Sequence, residues 1–364
     1  MIRRVLIRLV APLDAGLLTP MLLLIACGLL VLYSAAGEDS AKVIDQLRNL
    51  AVAVGMMWIV ALIPSQYLLQ AAAPIYAVGV ALLVGVALFG EISNGARRWL
   101  HIGVTRIQPS ELMKIAMQLM LAWYFHKREA NLRLFDFMIA AILLGLPILL
   151  IVKQPDLGTA LLITASGFYV LFLAGLSWKV LVGLTVLAAA SVPVAWPLMH
   201  DYQRQRVLTL FDPAQDPLGA GYHTIQSTIA LGSGGISGKG WMNGTQAHLD
   251  FLPERTTDFI FAVYGEEFGL IGNLVLLALY FALILRGMMI AYSAGNLFGR
   301  LMAGAVTLTL FTYAFVNMGM VSGILPVVGV PLPFISYGGT ALVTILTSLG
   351  ILMGIQSQKK LVQT

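Results

Sequence analysis

Apolar residues occupy most of this chain in long runs that are separated by short polar breaks. Ten runs approach the length of about 20 apolar residues that a helix needs to cross the hydrocarbon core of a bilayer. Stretches such as 270–285 carry no charged residue, whereas a soluble helix shows a polar face at helical period. The pattern predicts an all-α polytopic membrane protein of about ten transmembrane helices. The runs lie at residues 16–36, 49–68, 72–90, 110–126, 135–152, 158–176, 178–199, 262–290, 300–322 and 335–356.

The break between the seventh and eighth runs, residues 201–257, is the one long polar segment of the sequence. Loops of this length without evident structure are usually functional or disordered. Embedded aromatic residues such as Tyr222, Trp241 and Phe251 disfavour disorder. We therefore expect a folded loop with short helices, within a single membrane domain that comprises residues 1–364.

Charged residues indicate the orientation of the predicted helices. An even number of spans puts both ends of the chain on one side of the membrane, and basic flanks favour the cytoplasmic side. Arg3, Arg4 and Arg8 precede the first run, and Lys359 and Lys360 follow the last. The sequence therefore predicts cytoplasmic termini, an uncleaved first helix and a long loop on the outer face.

Composition supports a membrane protein and disfavours other classes. Hydrophobic residues occupy 59% of the 364 positions and charged residues only 11%, against about a quarter charged in a soluble domain. The net charge of +5 is scattered between the apolar runs, so we expect no nucleic-acid partner. A single cysteine, Cys27, excludes an intrachain disulfide, and the five histidines lack the spacing of metal ligands.

One carboxylate stands at the junction between the long loop and the eighth run. Asp258 is followed by Phe259, Ile260 and Phe261, so its side chain should be partly removed from water. Desolvation raises the pKa of a carboxyl group and makes it a better base near neutral pH. The sequence predicts Asp258 as a catalytic base, and a helix N-cap is the alternative role.

Other ionisable residues at the edges of apolar runs need a partner or a task, because charge is costly at membrane depth. Glu111 and Lys114, three positions apart on one helix face, should form an ion pair whose role is structural or catalytic. Asp156 could cap the sixth helix, bind a divalent cation, or do both, and the cap alone is the simpler interpretation.

Several basic residues could meet an anion. Arg48 near the second run is either a membrane-interface residue or an anion ligand. Arg98 and Arg106 lie in the connection 91–109, which alternation of the spans places on the outer side, where basic residues are disfavoured. Lys239 lies in a glycine-rich run that departs from the Walker pattern, so that anion binding and simple flexibility both stay open.

The last outer connection, residues 323–339, is apolar but is interrupted by three prolines and several glycines. Irregular backbone at membrane depth occurs only where protein buries it or water lines it. We therefore expect this connection to line a cavity that faces the outer leaflet.

Six stretches of the sequence, spread over essentially its whole length, resemble the SEDS family (shape, elongation, division and sporulation proteins). They are NGARRW at 94–99, QPSE at 108–111, QPDLGT at 154–159, FLPER at 251–255, TDF at 257–259 and PLPFISYGG at 331–339. The resemblance implies a ten-helix peptidoglycan glycosyltransferase that acts on lipid II at the periplasmic face of the bacterial inner membrane. It further implies a class B penicillin-binding protein and other elongation-complex membrane proteins as partners.

The resemblance also suggests roles for particular residues. Asp258 matches the family's catalytic aspartate, Glu111 and Lys114 match its buried ion pair, and Arg98 lies in its arginine–tryptophan motif. Thr256 stands where the family often has histidine, which weakens any proton relay through that position. The short amino terminus favours an elongation-type member, with the division-type homologue as the alternative.

We expect Asp258 to deprotonate the acceptor sugar while undecaprenyl pyrophosphate leaves the donor. Cations should stabilise the charge of this leaving group. A divalent cation, magnesium or manganese, held in part by Asp156, is a further expectation. A lipid II flippase or other transporter, and a scaffold without activity of its own, are the alternatives. The expected pyrophosphate or substrate contacts are Arg48, Arg98, Arg106, Lys114, Lys153, Lys239, Arg255, Ser336 and Tyr337.

Overall fold

The computed structural model describes residues 12–93, 96–102, 105–154, 156–199, 201–213, 221–249, 251–252 and 254–362. Arg3, Arg4 and Arg8, on which the predicted orientation partly depends, lie outside these residues. The described chain is mostly helical. The helices are α1 (Ala15–Ala35), α2 (Ser40–Ala61), α3 (Ser65–Phe89), α4 (Pro109–Lys127), α5 (Leu134–Val152), α6 (Leu157–Leu173), α7 (Trp178–Ala195), α8 (Asp201–Phe211), α9 (Tyr222–Ser233), α10 (Thr245–His248), α11 (Ile260–Ser293), α12 (Leu297–Val321) and α13 (Thr340–Val362).

Each of the ten predicted apolar runs corresponds to one long helix, which confirms a helical membrane protein. Among the described residues, seven helices are long and apolar enough to cross a bilayer. Helices α6 and α7 are also apolar but shorter, and α4 carries buried Glu111, Lys114 and Gln118 among its apolar residues. Helix α2 begins at Ser40, nine positions before the predicted run, because Asp39 caps it and accepts a hydrogen bond from the Ala41 amide.

The long connection between α7 and α11 contains α8, α9 and α10, so the expected short helices are present. A small sheet in the connection between α3 and α4 is an addition to the predicted helical fold. Its antiparallel order is β1 (Glu91–Ser93), β2 (Ala96–Ile102) and β3 (Thr105–Ile107).

Buried apolar side chains form one cluster that extends from Leu17 in α1 to Ile355 in α13. Large apolar side chains on the outside of the helices are exposed, as along α11 at Leu270, Leu274 and Phe281. Spacings of one and two helical turns put these residues in one stripe, which suits contact with lipid. Close helix packing depends on small residues, since a Cβ on Gly350 of α13 would lie 2.3 Å from the Met57 carbonyl oxygen of α2.

Helix α11 is interrupted at Gly269, where φ is 63° and ψ is −159°. A break of this kind leaves backbone amides and carbonyls without helical partners, which is costly at membrane depth. The glycine-rich run 234–240 supplies the missing partners through four backbone hydrogen bonds. They are Lys239 N to Glu266 O (3.0 Å), Gly240 N to Glu267 O (2.9 Å), Leu270 N to Gly235 O (2.9 Å) and Ile271 N to Ile236 O (3.1 Å).

This arrangement explains the glycines of the run by contact with the helix. A Cβ on Gly234 or on Gly238 would lie 2.1 Å from a carbonyl oxygen of α11. The run is therefore a fixed backbone partner of the interrupted helix, which neither of the two open interpretations of the sequence anticipated.

Candidate active site

Asp258 lies in a tight turn, residues 254–259, that leads into α11. The amides of Thr257 and Phe259 both donate to the Glu254 carbonyl, at 3.0 and 3.3 Å. Phe259 occupies the N-cap position of α11, and no side chain makes a capping hydrogen bond there. The alternative role of Asp258 as a helix cap is therefore wrong, and its carboxylate is available for another task.

The environment of Asp258 favours a base that works near neutral pH. Burial of the partly exposed carboxyl group, with a smaller effect from the negative charge of Glu254, raises the pKa of Asp258 to about 6. Ordinary aspartate is far weaker as a base, and an effective general base has a pKa near the working pH. No lysine or arginine among the described residues forms an ion pair with this carboxylate.

The proline-rich connection 323–339 packs directly on this turn. The Ser336 hydroxyl donates to the Thr257 carbonyl at 2.7 Å and accepts from the Leu332 amide at 2.7 Å. The Tyr337 amide donates to the Thr256 carbonyl at 2.9 Å. Ser336 and Tyr337 thus hold the connection to the turn, and contact between them and substrate stays a prediction.

Asn317 of α12 connects both segments and was not anticipated from the sequence. Its side chain is fully buried, and its amide nitrogen donates to the carbonyls of Asp258 at 2.8 Å and Val330 at 2.7 Å. A lone asparagine inside an apolar run is the signal that could have found it, because polar side chains at membrane depth usually have a specific partner.

A continuous series of contacts leads from Asp258 to a basic residue. A Cβ on Gly329, whose φ is +71°, would lie 3.3 Å from Asp258 Oδ2. The carbonyl of the preceding residue, Val328, would lie 2.7 Å from a Cβ on Gly158, at the start of α6. Two positions before Gly158 is Asp156, whose Oδ2 lies 3.6 Å from Arg98 Nε. The fold thus brings Arg98 of β2 and Asp156 to the same end of the bundle as Asp258.

Asp156 caps α6, which was the simpler of its two interpretations. Its Oδ1 accepts from the Thr159 amide at 3.3 Å, and its Oδ2 accepts from the Thr159 hydroxyl at 2.9 Å. With Arg98 also adjacent, the carboxylate already has three partners. Nowhere in the described parts of the chain do three or more His, Cys, Asp or Glu residues form a group that could hold a metal. These residues do not fit a metal held by protein ligands alone, and the divalent cation stays a prediction.

Glu111 and Lys114 form the expected ion pair inside the bundle. Lys114 Nζ lies 2.6 Å from Glu111 Oε1 and 2.5 Å from the hydroxyl oxygen of Tyr313 on α12. All three side chains are buried, so the opposite charges of Glu111 and Lys114 are paired where water is largely excluded, and Glu111 Oε2 makes no hydrogen bond. Tyr313, which the sequence did not suggest, connects this pair to the helix that also carries Asn317.

The other basic residues predicted to contact substrate each lie in a different environment. Lys153 is exposed near the end of α5. Lys239 and Arg255 make contacts that stabilise the loop, and their substrate contacts stay predictions. The recorded partners are Asp45 Oδ1 for Arg48 (2.9 Å), Glu91 Oε2 for Arg106 (3.7 Å), Glu266 Oε1 for Lys239 (2.7 Å) and the Ala35 carbonyl for Arg255 (2.7 Å).

Comparison with known proteins places this architecture in a family. The family model for FtsW, RodA and SpoVE, described as cell cycle protein, matches residues 15–361. The chain belongs to the FtsW/RodA/SpoVE family. This membership confirms the resemblance found in the sequence.

Relatives of the FtsW/RodA/SpoVE family cover most of the chain. Peptidoglycan glycosyltransferase MrdB of Escherichia coli K12 is 51% identical over 350 residues, which is 96% of this chain and 95% of the relative. A probable peptidoglycan glycosyltransferase FtsW of Geobacter metallireducens is 40% identical over 283 residues, 77% of this chain and 74% of the relative. The higher identity and fuller coverage of MrdB agree with an elongation-type member.

Solved structures support the same assignment. A chain from a peptidoglycan synthase complex that coordinates polymerization and crosslinking has a TM-score of 0.83 and 32% identity, over 95% of this chain and 98% of that one. The rod shape determining protein RodA of Thermus thermophilus has a TM-score of 0.71 and 29% identity, over 95% of this chain and 97% of that one.

Proposed function

We propose that this chain is a peptidoglycan glycosyltransferase that joins lipid II into glycan strands for cell elongation, with Asp258 as the general base. The observation that carries the proposal is a partly buried carboxylate whose pKa is raised to about 6 and which caps no helix. The activity follows from 51% identity to a peptidoglycan glycosyltransferase over nearly the whole chain.

In the proposed reaction, ionised Asp258 accepts the proton of the acceptor sugar's 4-hydroxyl group. The hydroxyl oxygen attacks the anomeric carbon of the donor sugar as the bond to undecaprenyl pyrophosphate breaks. A single displacement of this kind inverts the anomeric configuration. The proton then passes from Asp258 to solvent, which regenerates the base.

The departing pyrophosphate carries negative charge that fixed cations stabilise. Arg98 is the cation that the contact series from Asp258 reaches through Asp156. Lys114 is enclosed between Glu111 and Tyr313, so it does not contact the pyrophosphate directly. Its positive charge stabilises this leaving group from a distance. No step in this scheme requires a metal ion.

The same proposal includes location and partners. The protein lies in the bacterial inner membrane with both termini in the cytoplasm and Asp258 on the periplasmic side. This orientation is supported by the basic residues at the ends of the sequence. A class B penicillin-binding protein acts as the crosslinking partner, and other elongation-complex membrane proteins join it. The similarity to a synthase complex in which polymerization and crosslinking are coordinated supports this partnership.

The test uses purified protein in nanodiscs with lipid II, assayed for glycan polymer and for lipid movement across the bilayer, with and without the partner. Asp258→Asn should reduce the polymerisation rate at least about 100-fold, since a positioned base contributes 10²–10⁴-fold. Glu129→Gln, which changes an exposed acid in the connection between α4 and α5, is the control and should keep the rate.

Three results would contradict the proposal. If correctly folded Asp258→Asn protein polymerised lipid II at the wild-type rate, Asp258 would not be the base. Lipid movement without polymer would favour the transporter alternative. Polymer that appears only with the partner, and that is insensitive to Asp258→Asn, would indicate a scaffold.

A further inference from the structure

A second polar site lies at the end of the bundle opposite to Asp258. Helix α4 runs away from Glu111 and ends at Lys127, and α5 begins at Leu134 and returns toward Asp156. The connection between these two helices forms an open pocket with a volume of about 540 Å³. Its lining consists of Lys127, Arg128, Ala130, Arg133, Phe135 and Asp136.

The pocket carries an excess of positive charge. Three of its lining residues are cations and one, Asp136, is an anion. The Asp136 carboxylate accepts from the Tyr124 hydroxyl at 3.0 Å and from the Arg133 amide at 2.8 Å, and it lies 3.8 Å from Arg128. Asp136 therefore offsets about one of the three positive charges. Glu129, the other acid of the connection, lies outside the lining and beside His126.

Aromatic side chains beside this pocket are typical of the level of the lipid headgroups. Lys127 Nζ lies 4.5 Å above the Trp123 ring, and the Arg128 guanidinium lies 6.0 Å from the Tyr124 ring. Tryptophan and tyrosine are enriched where a membrane protein meets the boundary between headgroups and acyl chains. Phe135 of the pocket is 65% exposed beside them, so an apolar surface adjoins the cationic one.

We infer that this pocket binds the phosphate headgroup of an anionic phospholipid. The cations attract the phosphate, while exposed Phe135 contacts the first part of the acyl chain, which a free anion does not have. Basic pockets between transmembrane helices bind lipid headgroups by this combination of charge and depth. In the proposed orientation the pocket opens toward the cytoplasmic leaflet, and the inference is independent of the reaction at Asp258.

The test measures lipid affinity of the purified, detergent-solubilised full chain. Short-chain phosphatidylglycerol is titrated, and bound lipid is counted by native mass spectrometry, with phosphatidylcholine of the same chain length and inorganic phosphate as separate arms. The double variant Lys127→Gln with Arg133→Gln should raise the Kd for phosphatidylglycerol about 25-fold. This estimate rests on about 1 kcal/mol, or a factor of about five, for each basic residue near a membrane surface.

The matched control is Lys179→Gln with Arg300→Gln. It removes the same charge from exposed positions near the start of α7 and α12, at the same end of the bundle, and its Kd should stay within about threefold of wild type. Thermal unfolding without lipid verifies that both double variants are folded. The inference would be overturned if the pocket variant kept the wild-type Kd, or if both double variants lost the same affinity. It would also be overturned if phosphatidylcholine bound as tightly as phosphatidylglycerol, or if inorganic phosphate bound as tightly as the lipid.

Discussion

Two carboxylates four positions apart control the protonation of the proposed active site. Burial and the charge of Glu254 raise the pKa of Asp258 to about 6, whereas its ordinary value is 3.8. The folded protein therefore holds this proton more tightly than the unfolded chain does. The contribution of protonated Asp258 to the free energy of unfolding is fully present below pH 3.8 and is lost as the pH rises through 6. Ionised Asp258 therefore destabilises the fold at neutral pH.

Asp258→Asn should accordingly stabilise the protein at pH 7.5 while it abolishes activity. The expected gain is up to about 2 kcal/mol in the free energy of unfolding, since one pKa unit corresponds to 1.36 kcal/mol and the site is partly open to solvent. Thermal unfolding midpoints at pH 7.5 and pH 4 measure it, and the gain should vanish at the lower pH. A midpoint at pH 7.5 below that of the wild type would contradict the assigned environment.

Glu254→Gln should remove the like charge next to Asp258 and lower its pKa. Polymerisation below pH 6 should then be faster than in wild type, because more Asp258 is ionised there. The measurement is the ratio of rates at pH 5.5 and pH 8. Glu38→Gln, which changes an exposed acid of the connection between α1 and α2, is the control. A ratio that is equal in the Glu254 variant and wild type would show that Glu254 does not influence the base.

Asn317 holds the backbone of Asp258, the proposed base, so its loss should affect turnover more than substrate binding. Asn317→Leu keeps the volume but leaves the buried carbonyls of Asp258 and Val330 without a donor, which costs about 1–3 kcal/mol for each group. We expect kcat to fall about tenfold or more with KM within about threefold. Asn317→Ser, which retains one donor, should recover part of kcat. Equal losses in kcat for both variants, or a change confined to KM, would contradict a positioning role.

At the scale of elements, the interruption of α11 is the feature most sensitive to substitution. Gly269 has a backbone conformation that other residues rarely adopt, and a Cβ there would lie 2.3 Å from the Gly238 amide nitrogen. Gly269→Ala should destabilise the protein by about 3 kcal/mol or more, measured by thermal unfolding. Gly145→Ala in α5 is the control, because a Cβ there meets nothing within 4 Å. Similar midpoints for the two variants would show that the break is not fixed by this contact.

The sequence was informative about helices and poor about what joins them. Apolar runs identify the long helices because every segment in lipid needs an apolar surface and hydrogen bonds for all its backbone groups. The start of α2 was missed because its first turns carry polar residues, including Asp45 and Arg48, and extend the helix beyond the apolar region. The role of the glycine-rich run was missed because it depends on pairing with a helix break that itself has no local pattern.

At the scale of the whole molecule, the site gathers residues from distant parts of the chain. The motif around Asp258 and the Glu111–Lys114 pair could be found in the sequence, because charge in an apolar context is conspicuous. The contact series through Gly329, Val328 and Gly158 could not, because it arises only when the proline-rich connection packs between α6 and the turn. The two ends of the bundle consequently differ, with a carboxylate site at one and a basic pocket at the other.

The pH dependence of glycan polymerisation by the purified protein tests the central claim most directly. If ionised Asp258 is the base, the initial rate at lipid II concentrations well below KM, which reports the pKa of the free protein, should increase about tenfold per pH unit well below 6 and level off above it. A rate that stays constant between pH 4.5 and pH 8, in protein that is folded throughout this range, would contradict the assignment of Asp258 as the base.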